Sequence, residues 1–296
     1  MSAALLAGGD DAFTVQDPRI SESSGLAASA EHPGIVYTHN DSGHPAQIFA
    51  LDAKGRTRAT YTLDGVTARD WEGIALGKDE KGRPAIYIAD TGDNRNSWDH
   101  VAVYRIREPK DVRSRTLQAE KFRFTYRDGP RDAETIMIDP RDNRLYIASK
   151  SLGSGRLYVA PKRLRADNVL TPVARAHSFA TDGAFAPDGT TFVIRGYYSA
   201  SLYSAPGKVI ETISLPSQEQ GEGITYAADG RSLLVSTEGV RQKVLRVPLP
   251  EKAQPVPTET ASESQPKEKD GSHRGVGLLA LVGVVVVAVL CGRRRK

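Results

Sequence analysis

The sequence predicts an all-β protein, a five-bladed β-propeller, and three observations carry that prediction. First, a strand–turn–strand unit headed by a hydroxyl or an acid recurs five times. The copies are SSGLAASAEHPGIVYTHNDSG (Ser23–Gly43), WEGIALGKDEKGRPAIYIADTGDN (Trp71–Asn94), AETIMIDPRDNRLYIASKS (Ala133–Ser151), TDGAFAPDGTTFVIRGYYS (Thr181–Ser199) and GEGITYAADGRSLLVSTEG (Gly221–Gly239). Second, the interval from the marked residue to the centre of the next strand barely varies. It is 13 residues from Ser24 to Tyr37, 15 from Glu72 to Tyr87, 12 from Glu134 to Tyr146, 11 from Asp182 to Val193 and 12 from Glu222 to Leu234. Third, every copy is followed by a third strand (QIFALD, VAVYRIRE, RLYVAPK, SLYSAPG, KVLRVPLP) and four by a fourth (RATYTLD, AEKFRFTYRD, TPVARAHSF, KVIETISLP). Four short strands repeated every ~40–60 residues are the pattern of propeller blades. A six-bladed ring fits the count less well.

The fifth copy lacks a fourth strand, whereas the chain opens on DAFTVQDP (Asp11–Pro18). That segment is expected to complete the last blade and join the two ends of the ring. The propeller then occupies residues 11–250, about the size of a single all-β domain. Ahead of it, Met1–Gly9 (MSAALLAGG) is small and apolar but has no basic start. A leader remnant in residues 1–10 and a disordered N-terminus both stay open.

Beyond Pro250 the composition changes. Glu251–Arg274 has no aromatic residue and is rich in Pro, Glu, Ser, Thr and Lys, so it reads as a disordered stalk. Gly275–Gly292 (GVGLLALVGVVVVAVLCG) carries no charge over 18 residues, enough for one transmembrane helix. Residues 293–296 (RRRK) form a basic tail that belongs on the cytoplasmic side. The expected protein is single-pass in the cell membrane through residues 275–292, with an extracellular propeller. The wall-attachment motif LPxTG is absent, so the span should persist as an anchor. Without a leader upstream, the same span would make a tail-anchored protein with a cytoplasmic propeller.

Charge and cysteine use exclude several classes. The formal charge is +4, and the last four residues supply as much, leaving the propeller near neutral without a basic stripe. Nucleic acid is therefore not an expected partner. The one cysteine, Cys291, lies in the apolar span, so there is neither a disulfide framework nor a cysteine nucleophile in the propeller. No GxSxG, HExxH or GxxxxGK motif is present. A monomer is expected.

Residues that start the first strand of each blade, and those that follow the second, converge on one mouth of a propeller's channel. The first set is Ser24, Glu72, Glu134, Asp182 and Glu222. Four carboxylates facing one another cannot all stay ionised without a counter-charge, and an all-oxygen set suits a hard cation, calcium first. Alternatively, each acid caps backbone N–H groups of the next blade. The second set holds His39, Asn40, Asp93, Asn94, Lys150, Arg195 and Tyr197 as candidates for binding an anionic small molecule or a cell-surface ligand. Asp41, Asp90 and Glu238 are candidate general bases for activating water beside a metal. Two Arg-Asp pairs, Arg69–Asp70 and Arg131–Asp132, read more readily as salt bridges repeated between blades.

The order Ser24, Glu72, Glu134, Glu222 resembles that of the five-bladed calcium-activated nucleotidases (apyrase type). That likeness implies a central calcium held by one Ser or Glu per blade, with Asp182 standing where the family has Ser. DWEGIA (Asp70–Ala75), DAETI (Asp132–Ile136) and QGEGIT (Gln220–Thr225) resemble the phytase-like, esterase-like propeller domains of secreted bacterial proteins, a likeness that covers most of the blades. Together they imply a phosphoester or ester hydrolase. The alternative is a non-catalytic surface propeller that binds a protein, glycan or cell-wall component.

Overall fold

The computed structural model describes residues 9–153 and 155–255, whose regular structure is twenty-one strands and one 3-10 turn. The expectations placed on residues 1–8 and 256–296, including the leader, most of the stalk, the transmembrane span and the basic tail, lie outside the described residues. Among the described residues no helix is long and apolar enough to cross a membrane.

The strands fall into five modules. β1 (Asp10–Thr14) opens the chain, and module 1 is β2 (Ser23–Ala28), β3 (Val36–Asn40), β4 (Gln47–Leu51) and β5 (Thr57–Leu63). Module 2 is β6 (Trp71–Lys78), β7 (Pro84–Asp90) and β8 (Val101–Arg107), then a short β9 (Arg115–Leu117) and β10 (Glu120–Tyr126). Module 3 is β11 (Ala133–Asp139), β12 (Arg144–Ser149), β13 (Arg156–Val159) and β14 (Asp167–Arg175). Module 4 is β15 (Asp182–Phe185), β16 (Phe192–Arg195), β17 (Ser199–Ala205) and β18 (Lys208–Ser214). Module 5 is β19 (Gly221–Tyr226), β20 (Ser232–Thr237) and β21 (Lys243–Pro248), with β1 antiparallel to β21 as its fourth strand.

The first strands close on one another: β2 packs against β6, β6 against β11, β11 against β15, β15 against β19, and β19 against β2. This is an all-β, propeller-like architecture. The residue patterns follow from it. β11 is buried at every position because neighbouring modules cover both its faces. β10, on the outside, alternates Phe122, Phe124 and Tyr126 inward with Lys121, Arg123 and Thr125 outward. Each joint between modules has its own apolar cluster. Tyr61 and Trp71 share the cluster between modules 1 and 2, Phe124 and Ile136 that between 2 and 3, and Met137 and Phe192 that between 3 and 4. Leu202 and Val235 belong to the cluster between 4 and 5, and Phe49 and Leu234 to that between 5 and 1.

Two features were not legible as strand patterns. β9 adds to module 1 by pairing parallel with β5. β10 pairs parallel with β14, fusing modules 2 and 3 into one eight-stranded sheet. An Arg123–Asp167 ion pair at 2.6 Å and the Asn168 side-chain amide, which donates to the Arg123 carbonyl at 3.2 Å, lock that seam. Outer edges that would otherwise be open are thereby covered. Ordered structure also passes the boundary expected at residue 250. Glu251–Ala253 forms the 3-10 turn, Ala253 is buried beside Val247 and Leu249, and Gln254 donates to the Leu249 carbonyl at 2.8 Å.

Candidate functional site

The device that aims the marked residues inward is a β-bulge. Pairing of the first strand with the second skips Ser24 in module 1, Glu72 in module 2, Glu134 in module 3, and Glu222 with Gly223 in module 5. A bulge leaves one residue unpaired and turns its side chain out of the alternation, here toward the ring. Module 4 has no bulge: Asp182 pairs in register with Arg195. The sequence marks an equivalent position in all five copies, but the backbone does not treat it alike.

The consequence is visible at Asp182. Its Oδ2 accepts the N–H of Ile224 at 2.8 Å and of Leu26 at 3.2 Å, in modules 5 and 1, while Oδ1 is buried without a partner. The expected metal ligand thus caps backbone of two other modules, and burial pushes its carboxyl well above the usual range. Ser24 has a comparable duty: its hydroxyl donates to the Glu72 carbonyl at 2.8 Å. Thr91 to Ala133 at 2.6 Å and Thr181 to Glu222 at 3.0 Å repeat that latch at other joints.

The acids gather on one side of the mouth. Oxygens of Asp41, Asp70 and Glu72 lie within 4.8 Å of one another, and so do those of Glu72, Asp132 and Glu134. Glu72 belongs to both groups. It is 4% exposed, and among the described residues no side-chain or backbone donor bonds its carboxylate, whose oxygens are not sealed from solvent as Oδ1 of Asp182 is. Burial first, and then the negative charges of Glu134, Asp41, Asp70 and Asp132, push its carboxyl well above the usual range. Glu134 is raised chiefly by burial too, but Lys150 pairs with it. Gln220 donates to Glu222 at 3.4 Å, and burial lifts Glu222 to about 7. Burial also lifts Asp70 and Glu238 to about 7, and raises Asp41 and Asp132.

Gly92 makes this crowding feasible. A Cβ there would collide with Oε1 of Glu72 and lie 2.5 Å from Oδ2 of Asp70. Gly92→Ala is expected to leave the ring folded but to push these two carboxylates apart. Any calcium-dependent rise in melting temperature should then shrink to less than half, as read by thermal denaturation with calcium and with EGTA.

These shifts set a pH dependence. Asp70, Glu222 and Glu238 have ordinary values of 3.8, 4.5 and 4.5 and stand near 7 when folded, so folding takes up protons. Stability of the metal-free protein must therefore fall as pH rises from about 4 to 7. Asp17 works in the opposite sense: its hydrogen bond with Arg19 lowers it from 3.8 to about 2, so its contribution is complete above about pH 4 and is lost as pH falls from there to about 2. In EGTA the melting temperature is expected to be higher at pH 5 than at pH 8. Calcium should reverse the order, because ligands must lose their protons to bind it. A melting temperature in EGTA that rises with pH would contradict the cluster.

The expected cations are mostly engaged. Arg195 is fully buried, and its guanidinium donates to the carbonyls of Gly196 (3.0 Å), Gly223 (3.0 Å), Ser236 (3.2 Å) and Tyr197 (3.3 Å). It ties module 4 to module 5 and presents no donor to a ligand. Lys150 faces the mouth with Glu134 on one side and the ring of Tyr197, 5.3 Å away, on the other. Burial opposes its charge, but Glu134 outweighs that and raises its pKa. The Arg-Asp pairs are not salt bridges between modules. Arg69 stacks over Trp98 at 3.3 Å, and Arg131 pairs with Asp128 at 3.3 Å, so Asp70 and Asp132 are left to the mouth.

Other expected site residues are structural. His39 is buried edge-on to Trp71, its Nδ1 donating to the Asn40 carbonyl at 2.9 Å, and burial lowers it to about 4, so it is neutral. Asn40 takes the N–H groups of Ser21 and Glu22 and donates to the Arg19 carbonyl at 2.7 Å. Asp90 accepts the Asp70 N–H at 2.8 Å, which makes it a support for Asp70. Asp93 accepts the Trp98 N–H at 2.8 Å, and its own N–H donates to Asp132 at 3.0 Å. Asn94 is exposed and reaches Asp70 at 3.4 Å. Asp41 and Glu238 remain at the mouth as acids. Asp70 and Asp132 complete it, and a signal for them exists. They stand two residues before the marked acid, as Glu22 and Gln220 do in modules 1 and 5.

No family model matches the chain, and neither does any curated protein. Among solved structures it is similar to a gluconolactonase from Xanthomonas campestris, important in glucose secondary metabolic pathways, at 14% identity and a TM-score of 0.46, covering 84% of this chain and 98% of that one. It is similar to the PQQ-bound aldose sugar dehydrogenase of Streptomyces coelicolor at 14% identity and a TM-score of 0.47, covering 83% and 99%. A third likeness, to hydrazine synthase of Kuenenia stuttgartiensis, has 16% identity and a TM-score of 0.44, covering 75% of this chain and 57% of that one. These likenesses assign no family.

Proposed function

We propose that the five modules are five blades of an extracellular, membrane-anchored propeller whose acidic mouth holds a divalent cation, calcium first, and hydrolyses an ester. The single observation that carries this is Glu72, a nearly buried carboxyl shared by two groups of clustered acids and, among the described residues, without a donor or cation of its own. Carboxyls crowded in this way must take up protons or a cation, so the cluster is built for a counter-charge it does not supply itself. Asp41, Asp70, Glu72, Asp132 and Glu134 offer the oxygen donors a hard cation takes. The cation would polarise the carbonyl or phosphoryl oxygen of the substrate.

The chain's own residues supply the rest. Glu238, near 7 and outside both acid groups, is suited to take a proton from water at neutral pH. Asp90 fixes the backbone of Asp70, and Lys150 is held by Glu134 and Tyr197 so that its ammonium faces the cup. A carboxylic ester suits this mouth better than a phosphoester, because Arg195 is enclosed and the charge of Lys150 is already matched. Turnover of p-nitrophenyl acetate and p-nitrophenyl phosphate by the full chain, with calcium and with EGTA, tests the reading. Ester cleavage abolished by EGTA is expected. Stabilisation by calcium without turnover of either would leave the mouth a structural ion site on a binding propeller, and the hydrolase reading would be wrong.

A further inference from the structure

Next to Lys150, which pairs with Glu134 of the acid cluster, stand Leu152, Phe179, Tyr197 and Tyr198. Leu152 is 74% exposed, Tyr198 75% and Phe179 39%. Tyr197 neighbours both other rings, with centroids 6.3 Å from Phe179 at a tilt of 42° and 6.3 Å from Tyr198 at a tilt of 57°. Their backbone is held firmly despite the exposure. The Phe179 N–H donates to Ser151, the Tyr198 carbonyl accepts from Leu215 at 2.9 Å, and the Gly196 N–H donates to Ser199 at 2.8 Å. His177 bridges the hydroxyls of Ser199 (3.1 Å) and Ser201 (2.9 Å) beside them. Phe179 also sits at φ 51°, a left-handed conformation unfavourable for a bulky residue. Exposed, pinned and strained aromatic residues beside a candidate site add little to packing and suit a contact surface.

We propose that this group of rings is a stacking shelf for a neutral saccharide whose hydroxyls face the acidic cup. The chemistry of the neighbours selects that class. The Tyr197 face already carries the Lys150 ammonium, so an organic cation would meet a like charge there. The carboxylates beyond Lys150 would repel an anion, whereas they accept hydrogen bonds from hydroxyls. A sugar ring offers such hydroxyls at its edge and an apolar C–H face for Tyr198 and Phe179. The inference rests on the mouth being the ligand site, but not on turnover.

The test is binding of the full chain to an array of neutral mono- and oligosaccharides. NMR saturation transfer then follows each sugar retained, for wild type, Tyr198→Ala, Phe179→Asn and Glu72→Gln. Asn tolerates the left-handed backbone, which keeps the Phe179 variant folded. At least one neutral saccharide should bind through its ring C–H protons, and each shelf variant should weaken it up to ~10-fold. Both shelf variants should keep their calcium-dependent melting shift. Saccharide binding by a protein with no ester turnover would sink the hydrolase reading and leave the shelf standing. The shelf is overturned if no neutral saccharide binds, if the shelf variants bind as wild type does, or if tetramethylammonium occupies these rings instead.

Discussion

Glu72→Gln is expected to abolish stabilisation by calcium and, at the same time, to raise the melting temperature of the metal-free protein. The two effects have one cause. In the absence of a cation, Glu72 is a buried carboxylate crowded by Glu134, Asp41, Asp70 and Asp132 with no donor of its own. An amide of the same shape removes that repulsion, so the metal-free fold gains. The amide is also a poorer ligand for a hard cation, and the position is common to both acid groups, so no neighbour can replace it. Calcium at a hundred times its dissociation constant stabilises by about 2.7 kcal/mol. For a domain of this size that is a shift of roughly 5–10 °C, which the variant should lose entirely. Scanning calorimetry of both proteins in EGTA and in calcium reads the two effects together. A variant that keeps the calcium shift would remove the cation from this mouth.

Arg195→Met should destabilise the protein by about 3–5 kcal/mol, a large share of the stability of a single domain. The guanidinium is fully buried and satisfies carbonyls in two modules, Gly196 and Tyr197 in module 4, Gly223 and Ser236 in module 5. Methionine fills much of the volume but donates nothing, so these carbonyls lose the guanidinium that donates to them. Burial lowers the arginine to about 10, which still leaves it charged at neutral pH. The nearby carboxyls of Asp182 and Glu222 would lose that positive charge as well. Urea denaturation measures the loss, and the seam between modules 4 and 5 is where it should open. A change below ~1 kcal/mol would mean that the arginine is not the tie described here.

Much of the fold could be read from the chain because a propeller is a local architecture repeated. Alternation in β10 and the similar spacing of the marked residues each report on a few neighbouring positions. Strands that join distant parts of the chain by parallel pairing, β9 to β5 and β10 to β14, leave no such local signature. The candidate site was legible in part. Glu72, Glu134 and Glu222 share one place in the repeat, and oxygens of Glu72 and Glu134 lie within 4.8 Å of each other. Asp70 and Asp132 were assigned to arginine neighbours, because sequence adjacency suggests a partner that the strand geometry turns away.

By itself the sequence determined the all-β class, the repeat, and which residue types stand at each turn of it, since those follow from patterns a few residues long. Only the tertiary structure decided what equivalent positions do. Modules 1, 2, 3 and 5 carry a bulge that turns the marked residue inward, and module 4 pairs in register, so Asp182 caps backbone where Glu72 faces other acids. The difference lies in one skipped pairing between strands. No residue type encodes that skip, because it depends on how the next module packs against the strand.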